Sequence, residues 1–482
     1  MEENNNYPLI VNLDGCLVKN NTRIESIIKS INANFLNIFV ILFLLFSKKK
    51  LNRYLQHYIV KIDELKFNKK VIKLIDNFYN KKKIILIADT NNNQAKLIFN
   101  YVNKFDKFYS YDQDKNYIEK NKSNYLVNIY GKNKFDYVGN SIKDISIWKN
   151  SNSSYYAGDY SFILKIIKFF FKKKQISNLG ENNSISSYCY NLIKLVRVQQ
   201  WVKNLMIFSP IMLANQINYV NIKISLIGFF IFSLFSSFTY IINDILDLHS
   251  DRKKMILSER PLASYTLPLK DIFSILFFFF LLNCFLLFFF IDNLTSQFIL
   301  ISYFFVTLFY CLLFKKIFFL DILMLSLFLN YRVFFGSNLT NVDLSNNFIL
   351  FLFFFFIFLG ILKRIVEINN FYISGEYYNK NVFGRPYKKN DLQLLKSISL
   401  FSFLMSQIFC ILFLTSKTTL FIYSNFYLPV FIIMILILWS IRIIYLTFNG
   451  KINLDPISFS TKDTFSIISG LLILFLFLIN FQ

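Results

Sequence analysis

From residue 204 onward the chain keeps returning to apolar runs about as long as a bilayer is thick, which takes roughly 20 residues of helix. These runs lie near 204–219, 222–245, 272–291, 296–314, 317–338, 347–366, 393–415, 425–447 and 464–481. Lipid offers no partner to a backbone amide, so such runs are expected to fold as an all-α bundle of about nine transmembrane helices. If residue 203 is cytoplasmic, the loops 246–270, 315–316, 363–396 and 442–462 share its side and hold nearly all the loop lysine and arginine. The opposite loops hold only Lys223 and Lys417. That asymmetry predicts an inner-membrane protein with its basic loops in the cytoplasm. The first residues, MEENNNYPLI, show no basic segment followed by an apolar one, so no cleavable signal is expected. The five cysteines, at 16, 189, 284, 311 and 410, form no CxxC pair and suggest neither zinc nor a disulfide framework. A net charge of +24 raises the question of nucleic acid, but no basic stripe accompanies a recognition motif, so no nucleic-acid partner is expected.

Residues 1–160 read differently. YPLIVNLD (7–14), KIILIAD (83–89) and FDYVGN (135–140) are short buried runs that end in polar residues, with charged helical stretches between them. Buried parallel strands with intervening helices predict a doubly wound α/β domain whose function lies at the strand ends. The run FLNIFVILFLLF (35–46) is about half the length of a span and precedes Lys48, Lys49 and Lys50. It is read as a cap helix near 31–50, resting on the membrane surface or on the bundle. Residues 161–190 hold the basic, apolar IIKFFFKKK (166–174) and the polar SNLGENNSISS (177–187), and are read as a linker to a membrane domain over 191–482.

The segment NDILDLHSD (243–251) carries the chemistry. Asp244, Asp247 and Asp251 follow one another at i, i+3 and i+7, which on a helix is one face. Carboxylates at the end of an apolar run call for a cation, a partner or water. Mg²⁺ takes carboxylate oxygens and bridges them to phosphates, so the three are candidate metal ligands for a diphosphate-bearing donor. Arg260, Arg252 and Lys253 follow in the same loop, and Lys203 precedes the first run; each could offset phosphate charge. Lys363, Arg364 and Glu367 form a second polar group at a helix end, with Lys363 and Glu367 on one face. Asp321 opens the fifth run, and Arg332 lies about three turns deeper, where an arginine needs an anionic partner in the protein or on a substrate.

The stretches VRVQQWVKN (196–204), NDILDLHSDRKK (243–254), ERPLAS (259–264) and LDILMLSLFLNYRVFFG (320–336) resemble the UbiA superfamily of intramembrane prenyltransferases. The resemblance implies that Asp244, Asp247 and Asp251 bind Mg²⁺ and the donor diphosphate, with Asn243 orienting the first of them or touching substrate. Aromatic prenyltransferases of the superfamily carry a second DxxxD where this chain has LGILKRIVEI (359–368). That stretch is similar to the decaprenyl-phosphate phosphoribosyltransferase branch. It implies a phosphoribosyl diphosphate donor and a polyprenyl phosphate acceptor, for which Lys363 and Arg364 would be binding groups. Two other readings remain: polyprenyl transfer to an aromatic acceptor, and a membrane transporter or lipid-binding protein without catalysis.

The first domain resembles the haloacid dehalogenase (HAD) phosphatase fold through VNLDGCLV (11–18), IILIADTNN (84–92), Lys122 and DYVGNSIKDISIW (136–148). Carried over, Asn12 stands at the nucleophile position, Asp14 at the general acid, Lys122 at the charge-neutralising lysine and Asp144 at the later metal carboxylate. An amide forms no aspartyl-phosphate, so a HAD-like domain without phosphatase catalysis is expected, with Asp14 and Asp144 left as possible ligands of Mg²⁺ or a phosphate.

Overall fold

The computed structural model describes residues 7–110, 122–170, 176–181, 183–253, 257–373, 385–416 and 427–479. The chain forms two compact units, one of Met1–Val196 with Asp244–Phe277 and the other of Arg197–Asn243 with Phe278–Gln482.

The first unit is built on a parallel six-stranded sheet: β1 (Leu9–Asn12), β2 (Ile84–Ala88), β3 (Lys107–Ser110), β4 (Asp136–Gly139), β5 (Ser154–Tyr156) and β6 (Ile176–Asn178), in the order β3-β2-β1-β4-β5-β6. Every residue of β1, β2 and β4 is buried. Alternate side chains feed two apolar layers: Leu9, Val11 and Leu86 pack with Val71 and Ile75, while Ile10, Ile85 and Ile87 pack with Leu126 and Trp148. The edge strands escaped the sequence reading because they are short and half polar. β3 opens on an exposed lysine, and β6 lies inside the stretch expected to be linker. Strand order reverses at β1, so the carboxyl ends of β1 and β4 border the crevice where ligands bind in doubly wound sheets. The basic segment 171–175 lies outside the described residues.

Between β1 and β2 the chain forms four α-helices, Thr22–Ala33, Asn37–Leu44, Lys48–Leu55 and Lys69–Phe78; the first three make the cap, and Asn37–Leu44 lies within the stretch near 31–50 read as a cap helix. Asn21 caps the first of the cap helices and Ser47 the third, accepting from the amides of Ile24 and Lys50. Ile41, Leu51 and Leu55 make their small shared core.

The second unit is a helical bundle. Among the described residues seven helices are long and apolar enough to cross a membrane: Tyr219–Leu246, Leu269–Phe290, Leu294–Lys316, Leu320–Thr340, Asn346–Asn370, Asp391–Leu414 and Val430–Phe448. The expected count of nine is therefore not met among the described residues. The first run, 204–219, folds as a 3₁₀ segment (Val198–Phe208) and a five-residue helix with Pro210 in its first turn. The last, Thr464–Ile479, has 16 helical residues, fewer than a span takes. Leu320–Thr340 is wedged against the 3₁₀ segment: a Cβ on Gly336 would stand 2.1 Å from the carbonyl oxygen of Ile207. Backbone rather than side chain blocks that space, so it cannot yield cheaply.

Two alanine substitutions separate packing from helix propensity. Gly336→Ala is expected to destabilise the detergent-solubilised protein by ~1–3 kcal/mol through overpacking. Gly470→Ala, where nothing lies within 4 Å of the new Cβ, is expected to leave the melting temperature unchanged or raise it. Thermal unfolding of both variants checks this.

Candidate active site

The carboxylate motif begins in the last turn of the Tyr219–Leu246 helix and does not stay on one face. The helix ends before Asp247, whose φ of −85° and ψ of 0° leave the helical region, and a four-residue turn of helix, Leu248–Asp251, follows. Asp244 and Asp251 are each 3% exposed, and both accept from the same Nη1 of Arg260, at 2.9 and 2.7 Å. Asp247 is half-buried at the break. Among the described residues no three His, Cys, Asp or Glu side chains gather closely enough to hold a metal ion. Two buried carboxylates nevertheless converge on a single cationic nitrogen, and all of their donor atoms are hard oxygens. That set fits a small divalent ion standing where Nη1 stands, given the shorter reach of roughly 2.0–2.1 Å that Mg²⁺ demands.

The rest of this loop is fastened to the cap of the α/β domain, within the same unit. Arg252 binds Glu25 through both nitrogens, at 2.8 and 3.1 Å, and donates to the Glu64 carbonyl at 3.1 Å. Its guanidinium lies 4.0 Å from the centre of the Tyr265 ring, and the Tyr265 hydroxyl donates to that carbonyl at 2.6 Å. Asn32 donates to the carbonyl of Leu246 at 2.7 Å, Lys66 to that of Ser264 at 3.3 Å, and Tyr160 to that of Thr266. Glu25 is fully buried. Burial opposes the charge on Glu64, but His249, Lys29 and Lys253 surround it and hold its carboxyl below the ordinary glutamate value. Of the three cations expected to offset phosphate charge from this loop, only Arg260 meets the carboxylates. Arg252 and Lys253 turn to Glu25 and Glu64 instead.

In the bundle the polar residues form a second group. Asp321, with no exposed surface, accepts from Tyr310 at 2.9 Å, Arg385 at 2.7 Å, Tyr387 at 3.2 Å and Arg364 Nη2 at 2.9 Å. Arg364 also reaches Glu367. Arg364, expected to bind a lipid phosphate, is thus consumed by an internal network. Lys203 pairs with Asp455 at 2.8 Å. Burial would raise the Asp455 carboxyl, but Lys203 and Lys363 outweigh it and hold it at about 2. Among the described residues Lys363 donates no hydrogen bond; it meets Asp455 through charge alone. Arg332, 2% exposed, finds neutral partners: Asn204 at 2.7 Å, the Phe328 carbonyl and Tyr240 at 3.5 Å. The faces of Phe232 and Tyr303 flank it. Asn243 accepts from Cys311 at 3.1 Å. Asp463 is taken by Arg442, at 2.6 and 2.9 Å, and caps Ser466.

At the strand ends of the α/β domain, Lys122 donates to Asn12 at 3.1 Å and lies 3.7 Å from Asp89. Asp14 accepts the amide and hydroxyl of Thr22 at 2.7 and 2.8 Å, while its other oxygen is buried with no hydrogen-bonding partner among the described residues. Burial lifts its carboxyl to about 6, against the pull of Thr22. Asp144 is spent on its own loop. It caps Asn140 and Ser141 and accepts from Tyr137 at 3.1 Å, which leaves it poorly placed as the metal carboxylate expected there.

Sequence reasoning missed Tyr310 beside Asp321, and Glu25 and Glu64 against the loop, and did not pair Arg385 or Tyr387 with Asp321. Position 385 sits in a Gly-Arg-Pro turn, a weak signal; Glu25 lies 227 residues from its partner and offered none.

The seven long apolar helices make this an integral membrane protein. Residues 204–454, just over half of the chain, match the UbiA prenyltransferase family, and the chain belongs to that family. The uncharacterized protein y4nM of Sinorhizobium fredii is 26% identical over 70% of this chain and 64% of its own length. Decaprenyl-phosphate phosphoribosyltransferase of Corynebacterium glutamicum is 27% identical over 37% of this chain and 54% of its own. The Mycobacterium tuberculosis enzyme of that name is 32% identical over 16% and 27%. The chain thus spans less than two thirds of the length of each of these relatives.

The Asp321 network makes a stability prediction. Removing its charge in Asp321→Asn leaves Arg364 and Arg385 short of a carboxylate, and breaking a buried pair this way costs about 3–5 kcal/mol. Glu367 is about a third exposed on its side chain (35%), so Glu367→Gln is expected to lower the melting temperature far less.

Proposed function

We propose that this protein is an intramembrane transferase that moves a phosphoribosyl group from a diphosphate donor to a polyprenyl phosphate. The observation that carries the reading is Lys363, a cation towards the end of a span that donates no hydrogen bond among the described residues, in the stretch that takes the place of a second DxxxD. A cation whose hydrogen-bond donors are unspent suits an anionic acceptor, and the partial similarity to two decaprenyl-phosphate phosphoribosyltransferases agrees with it. On this reading Asp244, Asp247 and Asp251 hold Mg²⁺, which offsets charge on the leaving diphosphate. Arg260, which meets Asp244 and Asp251 through one nitrogen and keeps part of its side chain exposed, would bind the diphosphate oxygens. Lys363, with Lys203, orients the acceptor phosphate, and Arg332 sits deeper as a polar contact for substrate. An acceptor phosphate oxygen attacks the anomeric carbon, a C–O bond forms, and the C–O bond to diphosphate breaks with its electron pair leaving on pyrophosphate. The excess of lysine and arginine in the loops on that side supports a cytoplasmic face of the inner membrane for this chemistry.

The expected product is a lipid-linked ribose phosphate. Lys363→Gln should lose one charge-assisted contact of ~1.5–3 kcal/mol, or about 10- to 150-fold in acceptor affinity. Asp244→Asn should abolish turnover with the fold intact. An assay offering both donor classes decides the matter: alkylation of an aromatic acid by a polyprenyl diphosphate, with phosphoribosyl diphosphate ignored, establishes ordinary prenyl transfer instead.

The same reading assigns no covalent phosphatase chemistry to the α/β domain, because the Asn12 amide has no anionic oxygen with which to attack phosphorus. The full-length protein should leave p-nitrophenyl phosphate intact. Hydrolysis by the unaltered chain that Asp14→Ala removes would count against this.

A further inference from the structure

The cap between β1 and β2 exposes more apolar surface than a domain surrounded by water tolerates. Phe39, Phe43 and Phe46 are 66, 76 and 94% exposed, and Leu36, Leu42 and Leu45 are each more than half exposed. Only Asn37 and Ile41 of the Asn37–Leu44 helix are buried, against the other two cap helices. The apolar side chains therefore form one patch rather than scattered positions, and a contiguous patch of this kind marks a binding surface. The run is too short to span a bilayer. Exposed Lys49 and Lys50 follow it, as in helices that lie in the headgroup region.

The occupant is identified by what the cap holds. Four residues before the patch begins, Asn32 donates to the carbonyl of Leu246, the last residue of a helix long enough to cross the membrane. A helix end of that kind stands at the boundary between hydrocarbon and water. Glu25 and the Glu64 carbonyl bind Arg252, five residues further along the loop from Asp247. The cap thus grips the carboxylate loop where the chain leaves the membrane, while its apolar helix remains uncovered.

We propose that the Asn37–Leu44 helix, through Phe39, Phe43 and Phe46, docks into the headgroup–acyl boundary of the bilayer that the spans cross, and so holds the Asp244–Arg260 loop steady at the membrane surface. The otherwise idle α/β domain becomes a brace. The inference needs the membrane spans but not the identity of the donor or acceptor, so it stands or falls apart from the proposed reaction.

The test uses the full-length protein in vesicles of phosphatidylcholine with phosphatidylglycerol. A nitroxide is attached through Phe43→Cys in a Cys189→Ser background, since Cys189 is the exposed native thiol. Power saturation should show the label reached by oxygen in preference to a water-soluble nickel chelate. The same label at Tyr101, 60% exposed on the α/β domain, should show the reverse. Preference for the chelate at position 43 overturns the proposal, because the helix then faces water. Exclusion of both reagents also overturns it, because the helix is then covered by protein. A second label, through Glu259→Cys, reads the loop. Phe39→Ser, Phe43→Ser and Phe46→Ser together should leave the protein folded but make the 259 label several-fold more mobile; unchanged mobility sinks the bracing role.

Discussion

A charge taken out of water survives only where an opposite charge or several donors meet it, and leaving one member of a buried pair alone costs about 3–5 kcal/mol. Both units are organised around that constraint. In the bundle, Asp321 collects two arginines and two tyrosines from three separate stretches of chain, and so pins the start of the Leu320–Thr340 helix to the Asn346–Ile373 helix and to the segment after residue 385. In the other unit, Arg260 performs the same service for Asp244 and Asp251. These contacts hold sharply bent segments that helix propensity alone would not maintain.

The two acidic groups differ in what they can release. Asp321 has no exposed surface, and its arginine partner Arg364 is likewise buried, so the network is a fixed structural element. Arg260 keeps about a quarter of its side chain exposed, at 26%, and its carboxylates accept it through a single nitrogen. A guanidinium bound at one point and open to solvent is displaced far more easily than one bound through a full fork. That contrast separates the loop, whose guanidinium is partly open to solvent, from the bundle network, which is closed.

At the strand ends of the α/β domain the polar side chains are spent largely on one another. With an amide at position 12, Lys122 donates to a neutral oxygen, and Asp144 serves as the cap of its own turn. What remains active structurally is the cap side, where Glu25, Asn32 and the Glu64 carbonyl bind the loop that carries the carboxylates. The residues that matter most to that arrangement lie outside the motifs that the sequence advertises.

Periodicity and composition were enough for the central strands, because β1, β2 and β4 are buried on both faces and so must be continuously apolar. They were enough as well for most of the spans, and for the acidic motif at the end of the Tyr219–Leu246 helix. Edge strands β3 and β6 were illegible because half their surface faces water, and the run 204–219 misled because hydropathy does not register that Pro210 and a 3₁₀ segment break it. A local pattern also could not say which carboxylate each arginine would choose. Arg252, Arg260 and Arg364 all sit in plausible motifs, yet one turned to Glu25, one to Asp244 and Asp251, and one to Asp321. Sequence fixes which charges exist and roughly where each helix ends; ion pairing acts through space at a few ångströms, so only the tertiary fold decides which of those charges meet.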